Sequence, residues 1–330
     1  MGELVNEFTW SKSRDATFRE CLRAYFLSHY GSWGGWQHDA PPETREIYLQ
    51  KNLSNRSAWL GILVHEVAER ALKALRRGIL WPLDQALQET EKRMRTELEI
   101  SRAGAYRSGA RAWWNGRRAR FGGLSEHYYQ EPVPDEDWEE TIQTALSCVK
   151  TLYASPHFMR LQRLPADAFL SVEDLEAFYI DDIKVWVKLD LAVRAKDGGV
   201  VILDWKTGLQ HAEKDIALQL GIYGLYGARL WNVAPEQVQG LDINLRDGTP
   251  RKHTISHERL EHVEGYIRDS AAQMRARLDD VGQNLASPEQ FPMCDALLSC
   301  RRCRFRRTCG REQEPPAPLP HEQQADEQEV

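Results

Sequence analysis

Apolar side chains recur at helical spacing through residues 57–77, SAWLGILVHEVAERALKALRR, where Leu60, Val64, Val67, Ala71 and Leu75 fall on one stripe. The spacing predicts an amphipathic helix with Ser57 as its N-cap. Residues 84–100 and 137–154 read the same way. The stretch 101–121 joins them in an α-rich first half, broken at Gly122 and Gly123 and again at Pro132 and Pro134. The pattern then switches to alternation. Residues 169–179, 183–194 and 200–205 read as strands separated by Asp181-Asp182 and by Lys196-Asp197-Gly198-Gly199, which predicts a meander of two hairpins. Helical spacing returns at 213–231, strands at 238–245 and 251–255, and a polar helix at 256–280. The expected class is α/β, with the N-terminal residues returning to meet the C-terminus.

Composition adds little until it is localised. The chain has 330 residues, 42% hydrophobic and 28% charged, enough to bury a sizeable core and unlike low-complexity, collagen-like or disulfide-stapled chains. No stretch approaches the roughly 20 apolar residues of a membrane span. No secretory signal is visible, so a soluble cytoplasmic protein is expected. The net charge of −6 argues against a nucleic-acid partner only at first sight. The last twenty residues hold six acids and one Arg, leaving 42 basic and 43 acidic residues over 1–310. That Pro- and Gln-rich tail, 311–330, is expected to be disordered. Basic residues cluster in the remainder: six Arg and no acid at 101–121, among Tyr106, Trp113 and Trp114, and five Arg at 301–307. Such patches can bind phosphate on a nearly neutral body, and the Arg/Trp stretch suits a single-stranded DNA channel.

The sharpest local signal is VILDWKTG at 201–208. Alternation puts Asp204 and Lys206 on one face and Trp205 on the other. The preceding strand carries Asp190 in an otherwise apolar run, and pairing through the Gly198-Gly199 turn places it beside Asp204. Two such carboxylates repel, and burial raises the cost. A Mg²⁺ or Mn²⁺ ion removes that cost, and Lys206 can then position water or offset charge on a phosphate. If the acids are only a repelling pair, removing either does not lower stability without metal. An isolated D-x-K is as readily a salt-bridged hairpin. His65 follows Gly61 by four residues on the first helix. H-E-V-A-E is not H-E-x-x-H, so a zinc-protease reading fails. Gln219 and Tyr223 share a face of the helix after the strand.

Three of six cysteines form C-x2-C-x5-C: Cys300, Cys303 and Cys309. In a cytosolic chain such spacing favours metal ligation over disulfides. Cys21 and Cys294 compete as fourth ligand. A 3+1 arrangement is unusual for zinc and compatible with a 4Fe–4S cluster. Cys148 reads as a small core residue.

In chain order these pieces are Cys21, G-x-x-x-H at 61–65, Asp190, D-W-K-T-G at 204–208, Q-x-x-x-Y at 219–223 and C-x2-C-x5-C. The set resembles the RecB-like branch of the PD-(D/E)XK nucleases over about 8–310. It is most similar to the iron–sulfur members: the AddB nuclease domain, the CRISPR-associated adaptation exonuclease and the mitochondrial exonuclease five type. The resemblance implies a restriction-endonuclease-like core, a central mixed β-sheet flanked by helices, with a helical insertion and a C-terminal Cys-cluster segment. Its boundaries would be 1–79 for the N-terminal segment, 80–165 for the insertion, 166–290 for the nuclease core, 291–310 for the cluster segment and 311–330 for the tail. It implies a metal-dependent DNA exonuclease or end-processing nuclease. His65, Asp190, Asp204 and the Trp205 carbonyl would hold Mn²⁺ or Mg²⁺, and Lys206 would be the catalytic lysine. Gln219 and Tyr223 would orient the site, and Cys21, Cys300, Cys303 and Cys309 would ligate a 4Fe–4S cluster. Lys188 stands where those proteins often have Gly.

The competing class is a non-catalytic Cys-cluster DNA-binding module or adaptor of a helicase or integrase complex. Paired carboxylates beside a lysine count against it, because binding DNA does not require them. No G-x-x-x-x-G-K-[ST] occurs, so any ATP-driven unwinding would come from a partner. Oligomeric state, DNA-versus-RNA preference and pathway leave no mark in the sequence.

Overall fold

The computed structural model describes residues 5–108, 111–114, 117–208 and 213–312, with the backbone alone at 111–114, 117–120, 214 and 297. The acidic tail expected to be disordered lies outside the described residues from 313 onward.

Local chemistry starts and stops the first helices. Ser11 accepts a hydrogen bond from the Arg14 N–H to cap α1 (Lys12–Glu20), which runs through Cys21 into α2 (Leu22–Phe26). After α3 (Pro42–Lys51) comes α4 (Arg56–Arg76), the helix expected at 57–77. Its cap is Asn55, two residues before the Ser57 anticipated, accepting from Ala58. It ends in a Schellman turn: Gly78 takes φ +73° and donates to the Leu75 carbonyl, while Ile79 donates to Ala74. Proline precedes both α5 (Leu83–Arg102) and α7 (Asp135–Ala154). Between them lie β1 (Arg111–Trp114), β2 (Arg117–Arg120) and the single-turn α6 (Ser125–Tyr128). The helix expected across 101–121 is thus wrong. Its backbone is an antiparallel hairpin, Trp114 opposite Arg117, because Gly104 at φ +65° ends α5 and short aromatic-rich runs favour strands. The short α8 (Pro156–Leu161) follows α7.

The two hairpins expected after residue 169 are each interrupted. The first run divides into β3 (Phe169–Val172) and β4 (Leu175–Ile180), the second into β5 (Ile183–Lys188) and β6 (Leu191–Arg194). Among the described residues β4 pairs only with β5. A five-stranded mixed sheet has the order β3-β6-β7-β8-β9, with β7 (Val200–Lys206), β8 (Val238–Asn244) and β9 (Pro250–Thr254). All its pairs are antiparallel except β7–β8, which α9 (Glu213–Leu230) connects. After the sheet come α10 (His257–Arg275) and α11 (Leu297–Arg302).

Helices cover both faces. Leu203, Trp205, Leu241 and Ile243 pack toward α4 and α7, while Val200 and Ile202 pack toward α9 and α10. This is the α/β architecture expected of a restriction-endonuclease-like core. The chain ends meet: Arg23 donates to the Phe291 carbonyl, Tyr30 to Asn284, and Asn284 to the Asn6 carbonyl. Among the described residues no helix is long and apolar enough to cross a membrane.

Candidate active site

The breaks between β3 and β4 and between β5 and β6 face each other. Glu173 takes φ +52°, a conformation that costs a non-glycine residue energy and that its surroundings must hold. Its N–H donates to the carbonyls of both Leu189 (2.9 Å) and Asp190 (3.2 Å). The registers on either side, Val172 opposite Leu191 and Leu175 opposite Lys188, put Glu173 opposite Asp190 on one face. His65 of α4 joins them there, the ligand atoms of the three all within 4.8 Å of one another. His65 Nδ1 lies 3.2 Å from Glu173 Oε1 and 3.4 Å from Asp190 Oδ1. Burial opposes charge on the imidazole, but Asp190 and then Glu173 raise its pKa well above the ordinary value. Burial likewise opposes ionisation of Asp190, which His65 and the Trp205 N–H nevertheless hold below the usual carboxylate range.

One strand away, Asp204 is almost completely buried. Its Oδ1 accepts from Gln219 Nε2 (2.9 Å), and Lys206 Nζ lies 2.5 Å from Oδ2 without the alignment of a hydrogen bond. Burial first, and the neighbouring Asp190 second, raise its pKa. Gln219 Oε1 accepts from Lys206 Nζ (2.9 Å), and its amide donates to the Tyr223 hydroxyl (2.7 Å). Tyr223 in turn donates to the Lys188 carbonyl (2.9 Å). One helix face thus fixes the lysine, the acid and the end of β5.

The structure therefore gathers His65 with Asp190 and, separately, Asp204 with Lys206, Gln219 and Tyr223. Trp205 buries its ring on the opposite face and donates its N–H to Asp190 Oδ2 at 2.7 Å. The two acids, read alike in the sequence, differ here. Asp190 is the acceptor of a buried main-chain N–H and the partner of the His65 imidazole, so it is not merely half of a repelling pair. Glu173 was missed. Its signal was an acidic Glu173-Asp174 pair where the apolar run FLSV stops, opposite Leu189-Asp190. Lys188 lies 2.6 Å from Glu173 Oε2 and offsets its charge.

An imidazole with two buried carboxylates, Glu173 and Asp190, their ligand atoms within 4.8 Å of one another and Asp204 on the neighbouring strand, fits a hard divalent cation such as Mg²⁺ or Mn²⁺.

Away from these acids, Cys21, Cys300, Cys303 and Cys309 line one small pocket. The five cysteines here are free thiols, Cys294 among them with its sulfur 3.8 Å from that of Cys300. Burial, then the neighbouring thiols, push Cys303 up to about 11. The Phe305 N–H donates to Cys303 Sγ and Arg311 to Cys300 Sγ, contacts that favour thiolate. Cys148 is fully buried on α7, far along the chain from this group.

No curated protein matches the chain. Among solved structures, that of SSO0001 aligns over 77% of this chain and 97% of its own at 14% identity, with a TM-score of 0.29. That likeness is too slight to bear on function. The family description that matches is the PD-(D/E)XK nuclease superfamily, over residues 9–310. With a mixed sheet carrying D-W-K on its central strand and acids clustered at that strand's end, the chain belongs to the PD-(D/E)XK nuclease superfamily, whose members are metal-dependent nucleases.

Proposed function

We propose that the protein is a metal-dependent DNA exonuclease or end-processing nuclease acting on single strands or DNA ends, of the RecB-like iron–sulfur type. The observation that supports the catalytic part is His65 against Asp190 on one strand and, on the neighbouring strand, Asp204 against a lysine held by Gln219. His65, Glu173, Asp190 and Asp204, with the Trp205 carbonyl, would hold Mg²⁺ or Mn²⁺. A bound ion of this kind polarises a phosphoryl oxygen and acidifies water. Lys206 stabilises charge on the phosphate or orients the water. Gln219 sets the lysine's position, and Tyr223 sets that of Gln219. A binding module or adaptor has no need to bury repelling acids at this site.

The C-x2-C-x5-C spacing with a distant fourth thiol supports a 4Fe–4S cluster more than zinc.

The test is degradation of end-labelled single-stranded DNA with Mn²⁺, with and without EDTA. A circular single strand is the control. Degradation of the linear substrate alone supports end dependence, equal rates on both refute it, and no metal-dependent cleavage of either refutes the nuclease. His65→Ala is expected to lose more activity in Mg²⁺ than in Mn²⁺, because the weakened donor set binds Mn²⁺ better. Equal losses in the two metals would remove His65 from the ligands.

The Arg-rich hairpin β1–β2 is assigned to DNA backbone contact. Reversing Arg117 and Arg118 to Glu is expected to weaken single-stranded DNA binding and to flatten its dependence on salt. The log–log slope should fall by about 0.7 for each phosphate that is no longer neutralised. Unchanged affinity and slope would return the hairpin to scaffold.

A further inference from the structure

Beyond Lys206 the strand β7 leaves the sheet, and its next carbonyls have no ladder to join. The end of β8 takes them in order. The Leu245 N–H donates to the Lys206 carbonyl (2.7 Å), Arg246 Nε to Thr207 (2.7 Å), and Asn244 Nδ2 to Gly208 (3.2 Å). Asn244 is itself fixed, since its Oδ1 accepts from the Arg246 N–H at 2.8 Å. Three consecutive residues thus hold three consecutive carbonyls, beginning with that of the lysine. The first of these bonds continues the parallel pairing of Lys206 with Asn244. The other two come from side chains and depend on their identity.

The held segment also touches the opposite wall of the site. A methyl group placed on Gly61 would come within 3.1 Å of Thr207 Oγ1, so Thr207 lies directly over α4, one turn before His65. The position of Thr207 therefore relates the lysine strand to the histidine helix.

We propose that Arg246, supported by Asn244, is a positioning residue for the nuclease centre: it holds Thr207-Gly208 so that Lys206 and α4 keep their relative places. This rests on the nuclease reading above. Arg246 acts through the backbone and does not itself meet the phosphate. Displacement of a reacting group by about 1 Å can cost on the order of 100-fold in rate, and an arginine whose Nε is committed to a main-chain carbonyl is a means of preventing it.

The test compares Arg246→Ala, Arg246→Lys and Asn244→Ala with wild type in Mn²⁺ on linear single-stranded DNA. Thermal melting, Mn²⁺ binding by calorimetry and the salt dependence of DNA binding are measured on the same preparations. Arg246→Ala is expected to turn over about tenfold more slowly or worse, with KM, salt slope and Mn²⁺ affinity within about twofold of wild type. Arg246→Lys, which still offers one N–H to Thr207, should recover part of the rate, and Asn244→Ala should show a smaller loss of the same kind. A raised KM with a salt slope lower by one phosphate would make Arg246 a DNA contact and overturn the proposal. So would a lowered melting temperature with unchanged turnover per folded molecule, or wild-type rates throughout. If wild type itself fails to cleave with metal, it is the nuclease reading that falls, and the hydrogen bonds to Thr207 and Gly208 are then structural.

Discussion

Replacing Asp204, Asp190 or Lys206 by alanine is expected to slow metal-dependent DNA hydrolysis by about 10²–10³-fold or more, the scale seen when a group that stabilises developing charge is removed. Folding separates the acids. Asp204→Asn should not lower stability in metal-free buffer. Its carboxyl is buried beside Asp190, and both effects place its folded pKa above the ordinary value. The folded state therefore binds this proton more tightly than the unfolded state does. The stability it lends is complete below the usual carboxylate range and is lost as pH rises toward the elevated value. The asparagine variant lacks that decline, so its melting temperature in EDTA should overtake wild type as pH approaches neutrality, and added Mn²⁺ should raise wild type alone. Asp190→Ala should behave in the opposite way. It strands the buried Trp205 N–H at a cost of about 1–3 kcal/mol, and it leaves His65 with Glu173 only. Alanine variants of both acids that still degrade DNA would show that the acids are structural and that catalysis lies elsewhere.

The second large effect is expected at the cysteines. Purified anaerobically, the protein should be brown, with the broad visible absorbance of thiolate-to-iron charge transfer. Cys309→Ser and Cys21→Ser should each lose iron, colour and several kcal/mol of stability, because ligation closes a loop spanning nearly the whole chain. Cys148→Ser should keep its iron, since that thiol lies within α7. Stoichiometric zinc without iron after anaerobic preparation would overturn the cluster assignment.

Much of this arrangement was readable from residue order. The helix bearing His65 announced itself by periodicity to within a residue or two at each end. The adjacency of Asp190 and Asp204 followed from one Gly-Gly turn, and the meeting of the chain ends from cysteines far apart in sequence. What was hidden shares one physical origin. Alternation runs smoothly through 183–194 and is broken in 169–179 only by Glu173-Asp174, yet the backbone bends in both runs at the acids. The bend requires a left-handed glutamate that no propensity favours, so Glu173 could not be placed beside His65 from pattern alone. The Arg/Trp hairpin failed for a plainer reason. The helical reading of 101–121 passed over the Asn-Gly dipeptide at 115–116, a two-residue turn signal in sequence. The hold of Asn244 and Arg246 on the lysine strand was also invisible, since it depends on a parallel register between segments far apart in the chain.

The contact of the N-terminal helices with the far end of the chain also sets a clock. Tyr25 stacks on Phe291 and Phe26 packs against it at a tilt, and the nearby Arg23 waits 268 residues for its carbonyl partner. At about 5–20 residues per second, a ribosome takes roughly 15–50 s to supply it. For that interval Tyr25 and Phe26 have the rings of Phe18, His29 and Tyr30 for company but not that of Phe291. The nascent chain thus carries an apolar face on α2 that stays partly uncovered until residue 291 has been made.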